Sequence, residues 1–82
     1  MTTMRAKLQV SSVTLHTGCE VLKFSAVAAK AYPADGSDDD NSYAKWSPVA
    51  DLNLTVTNPA LFGKIKPGQK YYVDFILAED KS

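Results

Sequence analysis

The stretch that decides the fold is "AKLQVSSVTLHTGCEVLKFSA", Ala6 to Ala26. Leu8 and Val10 alternate with Lys7 and Gln9, which is the period of a strand with one face buried. The phase slips by one residue at Ser11 and Ser12 before Val13 and Leu15 resume, and a slip inside a strand predicts a β-bulge. "HTGCE" supplies a glycine turn, and in "VLKFSAVA" Leu22, Phe24, Ala26 and Ala28 then share one face, with Lys23 and Ser25 on the other. The stretch therefore reads as a β-hairpin.

The rest of the chain continues the same period. "SAVAAKAY", Ser25 to Tyr32, is rich in alanine and could turn helical, but the preceding alternation favours an extension of the strand as far as Pro33, which closes it. In "VADLNLTVT", Val49 to Thr57, the residues Leu52, Leu54 and Val56 share one face while Asp51, Asn53 and Thr55 share the other. "NPALFG", Asn58 to Gly63, predicts one short helical turn: Asn58 caps, Pro59 suits the first helical position, and Gly63 ends it. "KPGQ", Lys66 to Gln69, has the proline and glycine of a type II turn. It leads into "KYYVDFILA", where Tyr71, Val73, Phe75 and Leu77 alternate with Tyr72, Asp74, Ile76 and Ala78. Large side chains on both sides of this last strand place it centrally between two layers or at an interface with a homo-oligomer or another protein.

The expected fold is therefore mainly β: a small antiparallel barrel or two-layer sandwich of four to five strands with one short helical turn. The 82 residues make a single β domain over 1–82, with an acidic loop at 33–48. A chain of this size buries roughly two-thirds of its unfolded surface. Hydrophobic residues make up 45% and charged residues 22%, which argues for a folded chain rather than a disordered one. No apolar run reaches the roughly 20 residues of a membrane helix, and "MTTMRAKLQV" lacks the layout of a signal peptide, so a cytoplasmic location without membrane contact is expected. Cys19 is the only cysteine, which excludes an internal disulfide. Without a secretory signal, the glycosylation triplet Asn53-Leu54-Thr55 reads as a chance match.

A net charge of zero conceals an asymmetry. Asp35, Asp38, Asp39 and Asp40 hold four of the nine acidic charges, so the remainder carries nine basic residues against five acidic. The loop "PADGSDDDNSYAKW", Pro33 to Trp46, fails as an EF-hand in both registers. Counted from Asp35, the sixth position is Asp40 instead of glycine and the twelfth is Trp46 instead of a carboxylate; counted from Asp38, these positions are Tyr43 and Val49. His16 and Cys19 supply two of the four ligands of a structural zinc and form no recognisable catalytic pair, so an ordinary turn is the better reading. A looser oxygen site for Ca²⁺ or Mg²⁺ on the loop carboxylates stays open as an alternative, but a solvated loop is the better reading, and no metal or cofactor is expected. No nucleophile with a base and no phosphate-cradling glycine loop is evident, which points away from an enzyme.

Two binding surfaces remain. In the first, Asp35, Asp38, Asp39 and Asp40 with Tyr43, Lys45 and Trp46 contact a protein partner, the carboxylates engaging a basic groove and the aromatics acting as anchors. The competing reading of Tyr43 and Trp46 is that they cover the core. In the second, Lys23, Lys64, Lys66, Lys70 and Tyr72 bind single-stranded nucleic acid in the manner of an oligonucleotide-binding barrel. Alternation puts Tyr71 and Tyr72 on opposite faces, so only one of them can serve that site.

The succession "KFSAV", "ADGSDDDNSYAKW" and "ADLNLTVTNPALFGKIKPGQKYYVDF" resembles small proteins encoded by tailed bacteriophages and prophages. The resemblance spans Leu8 to about Ala78 and rests on structural motifs. It implies a role as a virion component, an inhibitor of host defence, or a helper in phage nucleic-acid metabolism, acting in the host cytoplasm or the virion. It implies no site residues.

Overall fold

In a computed structural model that describes residues 2–79, four antiparallel strands form one sheet in the order β3-β2-β1-β4. They are β1 (Thr2–His16), β2 (Cys19–Ala26), β3 (Asp51–Val56) and β4 (Lys70–Ile76). The order is that of a Greek key, in which the fourth strand returns beside the first. β1 organises the sheet because its two halves have different partners. Residues Leu8 to His16 pair with β2, while Thr2 to Gln9 pair with β4. β1 consequently begins at Thr2, earlier than its own alternation indicates. The expected bulge lies where the register shifts between Val10 and Ser12, and the Ser11 hydroxyl there donates to the Lys23 carbonyl. Thr17 and Gly18 close the hairpin, with Gly18 at φ +81°.

The register separates the chemistry of the two faces. Met4, Ala6, Leu8 and Val10 of β1 share one face with Leu22 and Phe24 of β2, Leu52 and Leu54 of β3, and Tyr71, Val73 and Phe75 of β4. The buried core on that face is small: Ala6, Leu8, Val10, Leu22 and Phe24. The Phe24 and Tyr71 rings meet edge to face, their centroids 6.4 Å apart. Arg5, Lys7, Gln9, Lys23, Lys70, Tyr72 and Asp74 belong to the opposite, polar face.

Because β3 and β4 lie at opposite edges, the segment joining them has to cross the sheet, and it does so over the apolar face. Ile65 packs on the core, and the Gly63 N–H donates to buried Glu20 Oε2 at 3.1 Å. The expected helical turn opens this segment as a 3-10 turn, Pro59–Leu61, with Asn58 Oδ1 accepting from the Ala60 N–H. Gly63 is at φ +77°. At the far end the Lys66–Gln69 turn closes through its Gln69 N–H to Lys66 carbonyl bond, with Gly68 at φ +88°. The Gly68 N–H donates to the Val10 carbonyl, and the Gln69 carbonyl accepts from the Val10 N–H.

Several expectations change. The sheet is open, with β3 and β4 as edges, and is not closed into a barrel. A crossing segment, not a second sheet, lies on its apolar face. β4 is an edge strand and not a central one, which leaves Tyr72, Phe75 and Ile76 exposed. β2 ends at Ala26, short of Tyr32, and beyond Val27 the acidic loop takes its place along β1. The Val27 N–H takes the Lys7 carbonyl, and then the Ser42 N–H takes the Arg5 carbonyl. A second 3-10 turn, Asp39–Asn41, lies inside the acidic loop. Among the described residues no helix is long and apolar enough to cross a membrane.

Candidate functional site

The acidic loop folds against β1 where β2 has run out. Asn41, 1% exposed, is its pin. Its Oδ1 accepts from the Lys7 N–H at 2.9 Å, and its Nδ2 donates to the Val27 carbonyl at 2.8 Å and to Asp38 Oδ2 at 3.0 Å. One carboxamide thereby occupies the place of a missing strand's peptide group. Ser42 continues the pairing, its Oγ accepting from the Arg5 N–H at 2.8 Å. The loop thus satisfies backbone groups that an open edge would leave unpaired.

The four aspartates have different tasks. Asp38 caps the 3-10 turn, its Oδ1 accepting from the N–H groups of Asp40 and Asn41. Asp35 accepts from the Ser37 N–H at 3.0 Å; this bond holds its carboxyl below the usual value. Asp40 turns back to the polar face, accepting from the Tyr72 hydroxyl at 3.0 Å with Lys7 Nζ at 3.6 Å. Asp39 alone is exposed without a bond to another described residue. Among the described residues no three of His, Cys, Asp or Glu are grouped to hold a metal ion.

The aromatics also separate. Tyr43 packs against the core, and burial, with the charge of Asp38 adding to it, pushes its phenol up. Trp46 packs on the loop itself. Its indole lies over Gly36, where a Cβ would fall 2.5 Å from the ring, and meets Tyr32 edge to face at 5.8 Å. The Trp46 N–H donates to the Gly36 carbonyl at 2.9 Å. Trp46 has φ +62°, the only positive value outside glycine among the described residues, and is 51% exposed. Lys45 beside it is exposed. Such a backbone conformation persists only where its surroundings over-determine it.

The lysine set does not form one surface. Lys23, Lys70 and Tyr72 belong to the polar face, while Lys64 and Lys66 ride on the segment that crosses the apolar one. Tyr72 is already engaged: Arg5 lies over its ring, 4.7 Å from the centroid, and Asp40 takes its hydroxyl. Arg5 also pairs with Asp74 directly across the strands through Nε at 2.6 Å and a second bond at 3.0 Å. That pair raises the guanidinium and lowers the carboxyl. His16 and Cys19 face each other across the hairpin turn.

The residues that build the site and escape sequence reading are Gly36, Asn41, Arg5, Lys7 and Tyr32. A local signal existed for one of them, since Asp38 three positions before Asn41 fits a capping side chain. No family model, curated protein or solved structure matches the chain.

Proposed function

We propose that the chain is a non-enzymatic, phage-encoded module that binds another protein through the outer surface of the 33–48 loop. It would serve as an inhibitor of host defence or as a virion or accessory component, in the host cytoplasm or the virion. The observation that carries this reading is Trp46, a half-exposed indole at positive φ that packs over Gly36 and against Tyr32. A large aromatic held rigid in advance loses little entropy on binding and is a favoured anchor of interfaces. Asp39 and Lys45 stand on the same loop as exposed charges of both signs. Asp35 and Asp38 shape the loop through their bonds to the Ser37, Asp40 and Asn41 N–H groups, Asp40 turns to Tyr72 and Lys7, and Tyr43 ties the loop to the core.

The test is affinity capture by the tagged chain from infected cells, followed by binding measurement with the purified partner. Combining Asp39→Asn with Trp46→Ala should weaken binding by at least about 30-fold, as loss of a central aromatic does. Replacing Lys23 should leave it unchanged. A partner held equally well by the doubly substituted chain refutes the loop as the contact.

The alternative is single-stranded nucleic-acid binding, favoured by one placement: Lys23, Lys70 and Tyr72 share the polar face. Nucleic acid stacking there would have to displace Arg5 and Asp40 from Tyr72. A salt-dependent shift with oligonucleotides, reduced by Lys70→Ala, would support it, and no binding at low salt would eliminate it.

A further inference from the structure

The crossing segment covers only part of the apolar face. The other part, around the N-terminal half of β1, is an open groove of about 210 Å³ whose floor includes Met4, Ala6, Leu8, Leu52, Val73 and Phe75. Asp51 is the only charged residue in its lining. Phe75 is 47% exposed and Met4 beside it 36%. The Cα extents are 48 × 36 × 15 Å. The radius of gyration, 14.9 Å, compares with about 12 Å for a compact chain of this length. The accessible surface is 6078 Å², where a compact monomer of this mass presents about 4,800 Å². The excess exceeds the roughly 800 Å² that each partner contributes to a standard interface.

We infer that the open part of the apolar face is covered by the same face of a second copy of this chain, giving a two-layer dimer. Self-association suits the surface for three reasons. The same face of two copies can meet about a twofold axis, as an isologous interface requires. The net charge of zero removes long-range repulsion between copies. The whole chain's surface in excess of a compact monomer's is larger than one partner's share of a standard interface, and packing two such faces supplies the second layer that a small sheet needs. Tyr43, at the foot of the acidic loop, belongs to the lining, while Asp39, Lys45 and Trp46 do not, so the dimer carries two copies of the proposed partner surface.

Sedimentation equilibrium of the full chain over a wide concentration range tests the inference. The expected species has twice the 8.9 kDa chain mass. Phe75→Glu should weaken dimerisation by at least about 30-fold while far-UV circular dichroism keeps its sheet signal. If that variant unfolds, Met4→Lys, exposed in the same groove, makes the same test. Thr55→Glu, on the polar face of β3, should leave the dimer intact. Asp39→Asn with Trp46→Ala should also leave the mass unchanged, which separates this inference from the partner-binding reading. A chain monomeric at every concentration overturns the inference. So does a dimer indifferent to both Phe75→Glu and Met4→Lys, which would instead be joined through a strand edge.

Discussion

The two long connections of this sheet, 27–50 and 57–69, solve opposite problems. The first closes an edge: its Asn41 and Ser42 satisfy the backbone of β1 at Arg5 and Lys7. The second closes a face, crossing from β3 to β4 with Ile65 on the core and Gly63 held by Glu20. Edge closure needs hydrogen-bonding groups in register, and a few polar side chains suffice. Face closure needs apolar area, which thirteen residues with two glycines and two prolines do not fully supply. The first connection is therefore held to β1 at defined bonds, while the second leaves part of the core face open.

The largest effect should come from breaking the edge closure. Asn41→Ala orphans the Lys7 N–H and the Val27 carbonyl and removes a bond to Asp38. A loss of about 3 kcal/mol is expected in urea denaturation, since each buried unsatisfied group costs about 1–3 kcal/mol. A loss below about 1 kcal/mol, within the range of an ordinary surface substitution, would mean that the loop is not part of the folded unit. Next is Gly36→Ala, which meets the Trp46 ring and also sits at φ +74°. About 2 kcal/mol is expected, accompanied by a change in tryptophan emission as the indole is displaced.

The face closure should prove more tolerant. Glu20→Ala removes the acceptor for the Gly63 N–H, at a cost of about 1–2 kcal/mol. Trypsin should then cleave faster after Lys64, with cleavage after Lys45 unchanged; equal acceleration at both sites would show that the connections are not independent. The smallest effect is electrostatic. Asp35 and Asp74 have carboxyls lowered from 3.8 in the folded chain by the Ser37 N–H and by Arg5 respectively. Their contribution is complete above that value and is lost as pH falls through the lower folded values. Urea midpoints should therefore decline on acidification below about pH 4, less steeply in Asp74→Asn.

Local elements were legible in the sequence for physical reasons. Alternation marked the β1–β2 hairpin and β3, the slip at Ser11 marked the bulge, and Asn58-Pro59 with Gly63 marked the 3-10 turn, because each depends on residues close in the chain. The strand order was not legible, because the β1–β4 pairing joins Thr2 to Ile76. Nor was the division of labour among the aspartates, since Asp40 and Tyr72 are 32 residues apart. Asn41 reads as one more polar residue in a charged loop until the end of β2 exposes the backbone it serves. Its bond to Lys7 spans 34 residues. Trp46 read equally well as core cover or as an anchor, and its packing on Gly36 instead of the core could not be inferred from spacing.

Amide hydrogen exchange of the unmodified chain tests most directly the claim that the acidic loop is a built edge of the sheet. The Arg5 and Lys7 N–H groups have no acceptor on a neighbouring strand and depend on Ser42 Oγ and Asn41 Oδ1. Protection of both amides, together with that of Ser42, at levels close to those of the β1–β2 ladder is the expected result. Exchange of Arg5 and Lys7 at the rate of an uncovered strand edge would contradict it.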